Sequence, residues 1–257
     1  MGIPEATLEE LAALAAEHAL DFIEVRALEG SIDLPAHFAT HAYPAEPVDP
    51  PVRLVATNLS LINATPETIS TFLQYADVAA ALGAPYVRVF GGGKWGDLIS
   101  QDQFRHAAET VHACRAALKE KSAPCEMLLE THLAFSSSHA CLRLNERLPE
   151  PLHILWDVHH TWRNACEMPA ETWALIGSLA RHMHFSDSRM RTPTATGYDC
   201  ILPGAGEYPV DALRDLLAQV DYRHGVSLEW EKIWNPEMPH IREALPEFRR
   251  LLIDPKS

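Results

Sequence analysis

The sequence predicts an α/β fold, a (β/α)8 TIM barrel whose first strand is short or missing. Short apolar runs alternate with helical patterns along the whole chain, which is typical of a parallel sheet covered by helices. This alternation continues over 257 residues and favours a closed barrel over an open doubly wound sheet. No strand runs into the G-x-G-x-x-G motif of a dinucleotide-binding fold. Because no linker interrupts the pattern, residues 1–257 are predicted to form a single domain.

The amino-terminal part of the chain begins with a predicted helix at 7–19. Thr7 and Glu10 stand there at the spacing of a capping box. A strand at 21–28 follows, and then a proline-rich loop over 35–51. Further short apolar runs predict strands at 53–61, 86–93, 125–132, 152–160, 182–187 and 225–231.

The segments between these strands carry helical signals. Thr65 is placed as an N-cap, Pro66 lies at the first helical position, and Gly83 marks the end of that helix. Apolar residues form one stripe along a helix at 101–121. Later helices are predicted at 208–220 and at about 240–252.

The number of strands is one short of a complete barrel. Seven are predicted, and the eighth would be expected before the first helix, where only residues 1–6 precede it. Either those residues supply a short strand or the barrel is incomplete.

Charge and composition limit the classes of partner. The formal net charge is −14, with 35 acidic and 21 basic residues, so phosphate backbones and anionic membranes are repelled. No apolar run approaches the roughly 20 residues that a membrane-spanning helix needs. We therefore expect a protein that binds neither nucleic acid nor membranes. A small anionic substrate held by a few arginines stays compatible with this charge.

The cysteines and the amino terminus indicate the compartment. Five cysteines are scattered without a C-x-x-C pair, which suits free thiols better than disulfides or a zinc site. The first ten residues lack the basic and apolar regions of a secretory signal. These features predict a soluble, cytoplasmic protein.

Acidic and imidazole side chains stand at the carboxyl ends of four successive predicted strands. The stretch LHILWDVHHTW shows the pattern, because its apolar run ends on a carboxylate that two histidines follow. In a parallel barrel these strand ends converge on the face where such enzymes keep their chemistry. Three carboxylates would repel one another there unless a cation lay between them, and oxygens with one imidazole nitrogen suit a divalent ion. The residues are Glu130, Asp157, His184 and Glu229.

Five motifs resemble one known family over nearly the whole chain. They are ETH (130–132), DVHHTW (157–162), HMHFSDS (182–188), PGAGE (203–207) and SLEWEKIW (227–234). The sequence looks like the xylose-isomerase-like TIM barrels described as sugar phosphate isomerases and epimerases. That group includes ketose 3-epimerases, hydroxypyruvate isomerase and inosose dehydratase, with endonuclease IV as a more distant relative.

The resemblance implies a metal site and a mechanism. The family's four ligands match Glu130, Asp157, His184 and Glu229 of this sequence. They would hold one divalent ion, with Mn²⁺ favoured and Mg²⁺, Co²⁺ or Zn²⁺ as alternatives. The family's reaction is proton transfer through an enediolate, with Glu130 and Glu229 as base and acid on opposite faces of the substrate. His160 matches the histidine that contacts the substrate.

Several further residues are candidates for substrate binding. The family's arginine beyond the histidine ligand has no clear match, because Arg189 and Arg191 flank its expected place. Arg26 and Arg88 lie inside predicted strands, where a buried guanidinium needs either an acidic partner or an anionic ligand. His132, two residues after Glu130, could reach the rim of the pocket.

These features favour a metal-dependent isomerase or epimerase of a sugar or polyol ketone. A dehydratase on the same scaffold begins with the same proton abstraction and stays open as an alternative. The missing first strand leaves a third alternative, a sugar-binding subunit that turns over nothing alone. Endonuclease-like DNA repair fits poorly, because it needs a richer histidine set and a basic surface. Assembly into a homo-oligomer is also left open.

Overall fold

The computed structural model describes residues 2–190 and 197–254. Its main sheet has seven parallel strands, all of which were predicted as strands. In their order across the sheet they are β1 (Ile23–Val25), β2 (Val52–Ser60), β3 (Tyr86–Phe90), β4 (Glu126–Glu130), β5 (Ile154–Asp157), β6 (Ala180–Phe185) and β9 (Gly225–Leu228).

The two outer strands of this sheet face each other across an open side of the barrel. Within the described ranges, β1 pairs only with β2, and β9 pairs only with β6. Residues 2–7 form no strand, so they do not supply the short first strand that was one of the two alternatives. A cavity of about 750 Å³ lies on this side and reaches from helix residues such as Leu14 and Phe248 to His184 and Glu229.

The five helices whose bounds the sequence predicted are all present, because local capping signals define their ends. A further short helix, Leu34–Phe38, overlaps the segment 35–51 that was predicted as a loop. In the first helix, the Thr7 N–H donates to Glu10 Oε2 at 2.9 Å and the Glu10 N–H donates to Thr7 Oγ1 at 3.2 Å. The nine α-helices described are α1 (Leu8–Glu17), α2 (Leu34–Phe38), α3 (Pro66–Ala81), α4 (Gln101–Lys121), α5 (Ser138–Asn145), α6 (Val158–Ala165), α7 (Pro169–Ile176), α8 (Val210–Gln219) and α9 (Ile241–Phe248). None of them combines the length and hydropathy that crossing a membrane would need.

The structure also corrects the strand predictions. The strand predicted at 152–160 ends at Asp157, because the Asp157 side chain caps α6 by accepting the His160 N–H at 2.8 Å. The strand predicted at 182–187 ends at Phe185. An antiparallel hairpin of β7 (Asp187–Met190) and β8 (Tyr198–Ile201) was not predicted.

An apolar layer inside the barrel lies beneath the strand ends. Leu54, Ala56, Leu128 and Leu155 form this layer and are at most 2 % exposed. Side chains alternate along a strand, so Leu128 and Glu130 point to the same face of the sheet, as do Leu155 and Asp157. The polar groups at the carboxyl ends of the strands therefore lie next to a buried apolar layer.

Candidate metal centre

The four strand-end residues come together as predicted. Glu130 ends β4, Asp157 ends β5, His184 lies in β6, and Glu229 directly follows β9. Strand register makes Asp157 the direct neighbour of His184, and the Glu229 N–H donates to the Phe185 carbonyl at 2.8 Å. One ligand atom from each of the four residues lies within 4.8 Å of the others.

Several atoms of this group are buried without a hydrogen bond in the part of the chain that the structure describes. They include Glu130 Oε1, Asp157 Oδ2 and His184 Nδ1. His184 Nδ1 lies 3.8 Å from Glu130 Oε1 and 3.6 Å from Glu229 Oε1. A buried polar atom without a partner is costly, and several that converge on one point indicate a ligand. Three carboxylates and one imidazole are a donor set that fits a divalent cation.

The charges in this group perturb one another strongly. Burial raises the pKa of Asp157 well above its ordinary value, and the neighbouring Glu229 and Glu130 carboxylates add to this. Burial also disfavours ionised Glu229, but the His184 imidazole outweighs this and holds the pKa of Glu229 well below its usual range. The pKa of His184 is held well above its ordinary value, because the Glu24 and Glu229 carboxylates outweigh its burial. Without a cation, the group therefore retains protons to balance its charge.

Arg88 supplies the nearest fixed positive charge. Its Nε lies 2.9 Å from Glu130 Oε2, and its Nη1 donates to the Thr57 carbonyl at 2.8 Å. Burial disfavours ionised Glu130, but the Arg88 guanidinium outweighs this and lowers the pKa of Glu130. Of the two outcomes expected for this buried arginine, the structure has the ion pair with an acidic partner.

Arg26 is held differently. Its guanidinium donates to the Ile32 carbonyl at 3.0 Å and to the Asn58 side-chain oxygen, both of which are neutral acceptors. No carboxylate lies within ion-pairing distance of Arg26 among the residues described. Burial, with the nearby Arg88 charge, lowers the pKa of Arg26 to about 10. Arg26 lines the same cavity as His184 and Glu229.

His160 and His132 lie together beside the carboxylates. Because a carbonyl only accepts, His160 Nδ1 donates to the Thr131 carbonyl at 3.1 Å, which leaves Nε2 as an acceptor. The two imidazole rings lie 4.7 Å apart, and His132 also stacks on Phe90 at 4.3 Å. Burial and the neighbouring His160 lower the pKa of His132 to about 4, so it is neutral at ordinary pH.

The two arginines beyond the histidine ligand are placed unequally. Arg189 is exposed on β7 and donates to the Ala205 carbonyl at 2.8 Å, so it contacts the 203–207 loop. Arg191 lies outside the described residues.

Asp187, the first residue of β7, binds the backbone of the neighbouring loop. Its carboxylate accepts four backbone N–H groups, from Ser188, Gly204, Gly206 and Tyr208, at 2.8 to 3.1 Å. A Cβ at Gly206 would lie 1.9 Å from Asp187 Oδ1, so only glycine permits this approach. Asp187 therefore shapes the loop and does not bind a ligand side chain.

The sequence interpretation did not identify Glu24 as part of this site. Its carboxylate Oε2 lies 2.9 Å from His184 Nε2. The available signal was an acidic residue in the middle of a short buried strand, where an ionised group needs partners.

A parallel β/α barrel with three carboxylates and an imidazole gathered at the carboxyl ends of its strands defines the class of this protein. The model of the xylose isomerase-like TIM barrel family matches residues 2–251. The chain belongs to this family. No curated protein matches the sequence.

Solved structures of the same fold cover almost the whole chain at low identity. The IOLI protein with a bound zinc atom has a TM-score of 0.75 at 14% identity, covering 98% of this chain and 94% of that one. The "probable 3-DHS dehydratase" AsbF of Bacillus anthracis has a TM-score of 0.69 at 18% identity, covering 94% of this chain and 92% of that one. D-allulose 3-epimerase of Methylomonas sp., in complex with D-allulose, has a TM-score of 0.65 at 16% identity, covering 96% of this chain and 85% of that one. Two of these similar structures are described as an epimerase and a probable dehydratase.

Proposed function

We propose that this protein is a divalent-metal-dependent isomerase or epimerase of a sugar or polyol ketone, acting in the cytoplasm. A single observation carries the proposal. Glu130, Asp157, His184 and Glu229 converge, and the first three have buried polar atoms without a hydrogen-bond partner among the described residues. These four residues would hold the ion, and Mn²⁺ suits a set of three carboxylates and one imidazole. The cavity on the open side of the barrel borders His184 and Glu229 of this group.

The chain's own residues have distinct tasks in this proposal. Glu130 and Glu229 exchange a proton with the carbon next to the substrate carbonyl, since neighbouring cationic groups favour the ionised form of both. His160 Nε2 accepts a hydrogen bond from a substrate hydroxyl, because its Nδ1 is committed to Thr131. When bound, the divalent ion stabilises the negative charge that develops on the substrate oxygen.

The candidate arginines and His132 would contact the distal part of the substrate. Arg26 is the strongest of them, because it faces the cavity and has only neutral hydrogen-bond partners. It could balance the charge of a phosphate or carboxylate on the substrate. His132 would contribute a neutral imidazole beside His160. Arg88 is already paired with Glu130, and Arg189 contacts a loop carbonyl, so both are weaker candidates.

The test begins with the metal and continues with proton exchange. Elemental analysis compares the wild type with Glu130→Gln and Asp157→Asn, and Asp102→Asn serves as an exposed control on α4. We expect stoichiometric Mn²⁺ in the wild type and the control, and loss of it in both site variants. The loaded protein is then incubated in deuterated solvent with a ketose and inosose panel, and α-proton exchange is measured. A wild type that stays metal-free when offered Mn²⁺ would remove the basis of the proposal.

A dehydratase is the second candidate, because the fold is similar over 94% of the chain to a probable dehydratase. Both reactions begin by removing the same proton, so the site residues alone do not separate them. Product mass distinguishes the two, since a dehydratase product is lighter by one water molecule. Full metal occupancy without exchange on any panel member would instead support a sugar-binding subunit.

A further inference from the structure

Glu24 connects the open side of the barrel to the metal-site histidine. It lies on β1, yet its carboxylate contacts residues of β6 and β9, about 160 to 200 residues later in the chain. Oε2 accepts from His184 Nε2 at 2.9 Å, while Oε1 contacts His182 Nε2 and Ser227 Oγ. We propose that Glu24 is a positioning residue that holds His184 with its Nδ1 directed at the metal, an inference that rests on the proposed metal site.

The chemistry of the two ring nitrogens supports this role. A carboxylate has no proton to donate, so Nε2 of His184 must carry the hydrogen of this bond. In the neutral imidazole the other nitrogen, Nδ1, then has a free lone pair. That atom lies between Glu130 and Glu229 and has no hydrogen-bond partner within the described ranges. Carboxylates that accept from the second nitrogen of a metal-bound histidine orient the ring and raise its basicity.

His182 and Arg53 hold the carboxylate in place. Arg53 Nε donates to His182 Nδ1 at 3.3 Å, so the proton of neutral His182 lies on Nε2 and points to Glu24 Oε1. The Ser227 hydroxyl donates to the same oxygen. Glu24 thus accepts three hydrogen bonds. Its carboxylate cannot rotate away from His184 without breaking at least one of them.

The same bonds argue against a separate ion at this position. One ligand atom each of Glu24, His182 and His184 lies within 4.8 Å of the others, which is close enough for a cation. Both Nε2 atoms there carry protons directed at the carboxylate, so they offer no lone pair. Glu24 therefore acts through His184.

The experiment measures Mn²⁺ affinity by titration calorimetry and the visible spectrum of the Co²⁺-loaded protein. Glu24→Gln keeps the size of the side chain but has one acceptor oxygen for three donors. We expect it to bind Mn²⁺ about 10- to 100-fold more weakly than the wild type, the range typical when such supporting groups are lost. The Co²⁺ spectrum should shift, because the ligand field at His184 changes. The matched control is Glu126→Gln, since Glu126 pairs with His153 at the opposite end of β4.

The outcomes separate this inference from the proposed function. Wild-type Mn²⁺ affinity and spectrum in Glu24→Gln would overturn the positioning role while the metal site stands. A wild type that binds no Mn²⁺ would instead overturn the proposed function. If Glu24→Gln does not fold, Glu24→Asp keeps the charge but shortens the reach by one methylene. Wild-type affinity in that variant would count equally against the inference.

Discussion

The Arg88 guanidinium lies 2.9 Å from the Glu130 carboxylate, and both side chains are at most 5 % exposed. Arg88 also packs over the Phe90 ring, 4.0 Å from its centroid. The pair joins two neighbouring strands, because Phe90 of β3 is in register with Glu130 of β4. Arg88, on the strand next to β4, thus keeps the candidate ligand Glu130 ionised and fixed in position.

Replacing Arg88 with methionine should destabilise the metal-free protein. Glu130 would stay buried without its counter-charge, and breaking a buried ion pair in this way costs about 3–5 kcal/mol. Urea unfolding measures the loss, which should shrink when Mn²⁺ is added because the cation then balances Glu130. Arg105→Met, in an exposed pair with Asp102, should change the free energy of unfolding by less than about 1 kcal/mol. An equally small change for Arg88→Met would show that the buried pair with Glu130 does not contribute to the stability of the metal-free protein.

The affinity for Mn²⁺ should rise with pH. In the metal-free protein the pKa of His184 and the pKa of Asp157 are both held well above their ordinary values, so these groups retain protons that a cation must displace. Glu229, whose pKa is low, does not compete in this way. Calorimetry in two buffers of different ionisation enthalpy should detect proton release on binding. A pH-independent affinity without proton release would contradict the predicted charge balance.

His160→Gln should impair turnover and leave the metal in place. His160 is not one of the four ligands, and its Nε2 is the atom expected to meet the substrate. Loss of a positioned acid–base or hydrogen-bonding group lowers rates by about 10²- to 10⁴-fold. The exchange assay on the best substrate of the panel measures this, with Mn²⁺ content as the internal control. Loss of the metal together with activity would assign His160 to the ion instead.

Backbone amides along β9 should exchange with solvent in an alternating pattern. The Glu229 N–H donates to Phe185, so the alternation along a parallel strand directs the Ser227 N–H to β6 as well. The N–H groups of Val226 and Leu228 then point to the open side. Hydrogen exchange followed by NMR should find these two amides much faster than those of Ser227 and Glu229. Equal protection of all four would mean that a further segment pairs with this edge.

Asp187→Asn should destabilise the protein even though Asp187 contacts no candidate ligand. The amide keeps one acceptor oxygen, so two of the four backbone N–H groups lose their partner and face an –NH₂ group. Hydrogen bonds to charged groups contribute about 1.5–3 kcal/mol each, so we expect a loss of at least about 3 kcal/mol. Chemical unfolding measures this, with Asp211→Asn on the surface of α8 as the control. Wild-type stability would show that other contacts hold the 203–208 loop.

Much of the fold could be predicted because its signals are local. The capping box of α1, the N-terminal Thr65 and Pro66 of α3, and the stripe along α4 each depend on residues within one element. The strand at 152–160 was predicted too long for the same reason. Nothing in its apolar pattern shows that Asp157 turns its side chain to cap a helix. The β7–β8 hairpin was missed because each of its strands has only four residues.

The sequence by itself determined which residues stand at the ends of the strands, and so which side chains could meet on one face. It also determined the seven strands of the main sheet, because burial and periodicity are encoded within each segment. Only the tertiary structure decided that Arg88 pairs with Glu130 and that Glu24 supports His184. Those partners are set by strand register and by how β1 faces β9 across the open side, which depend on the packing of the whole barrel.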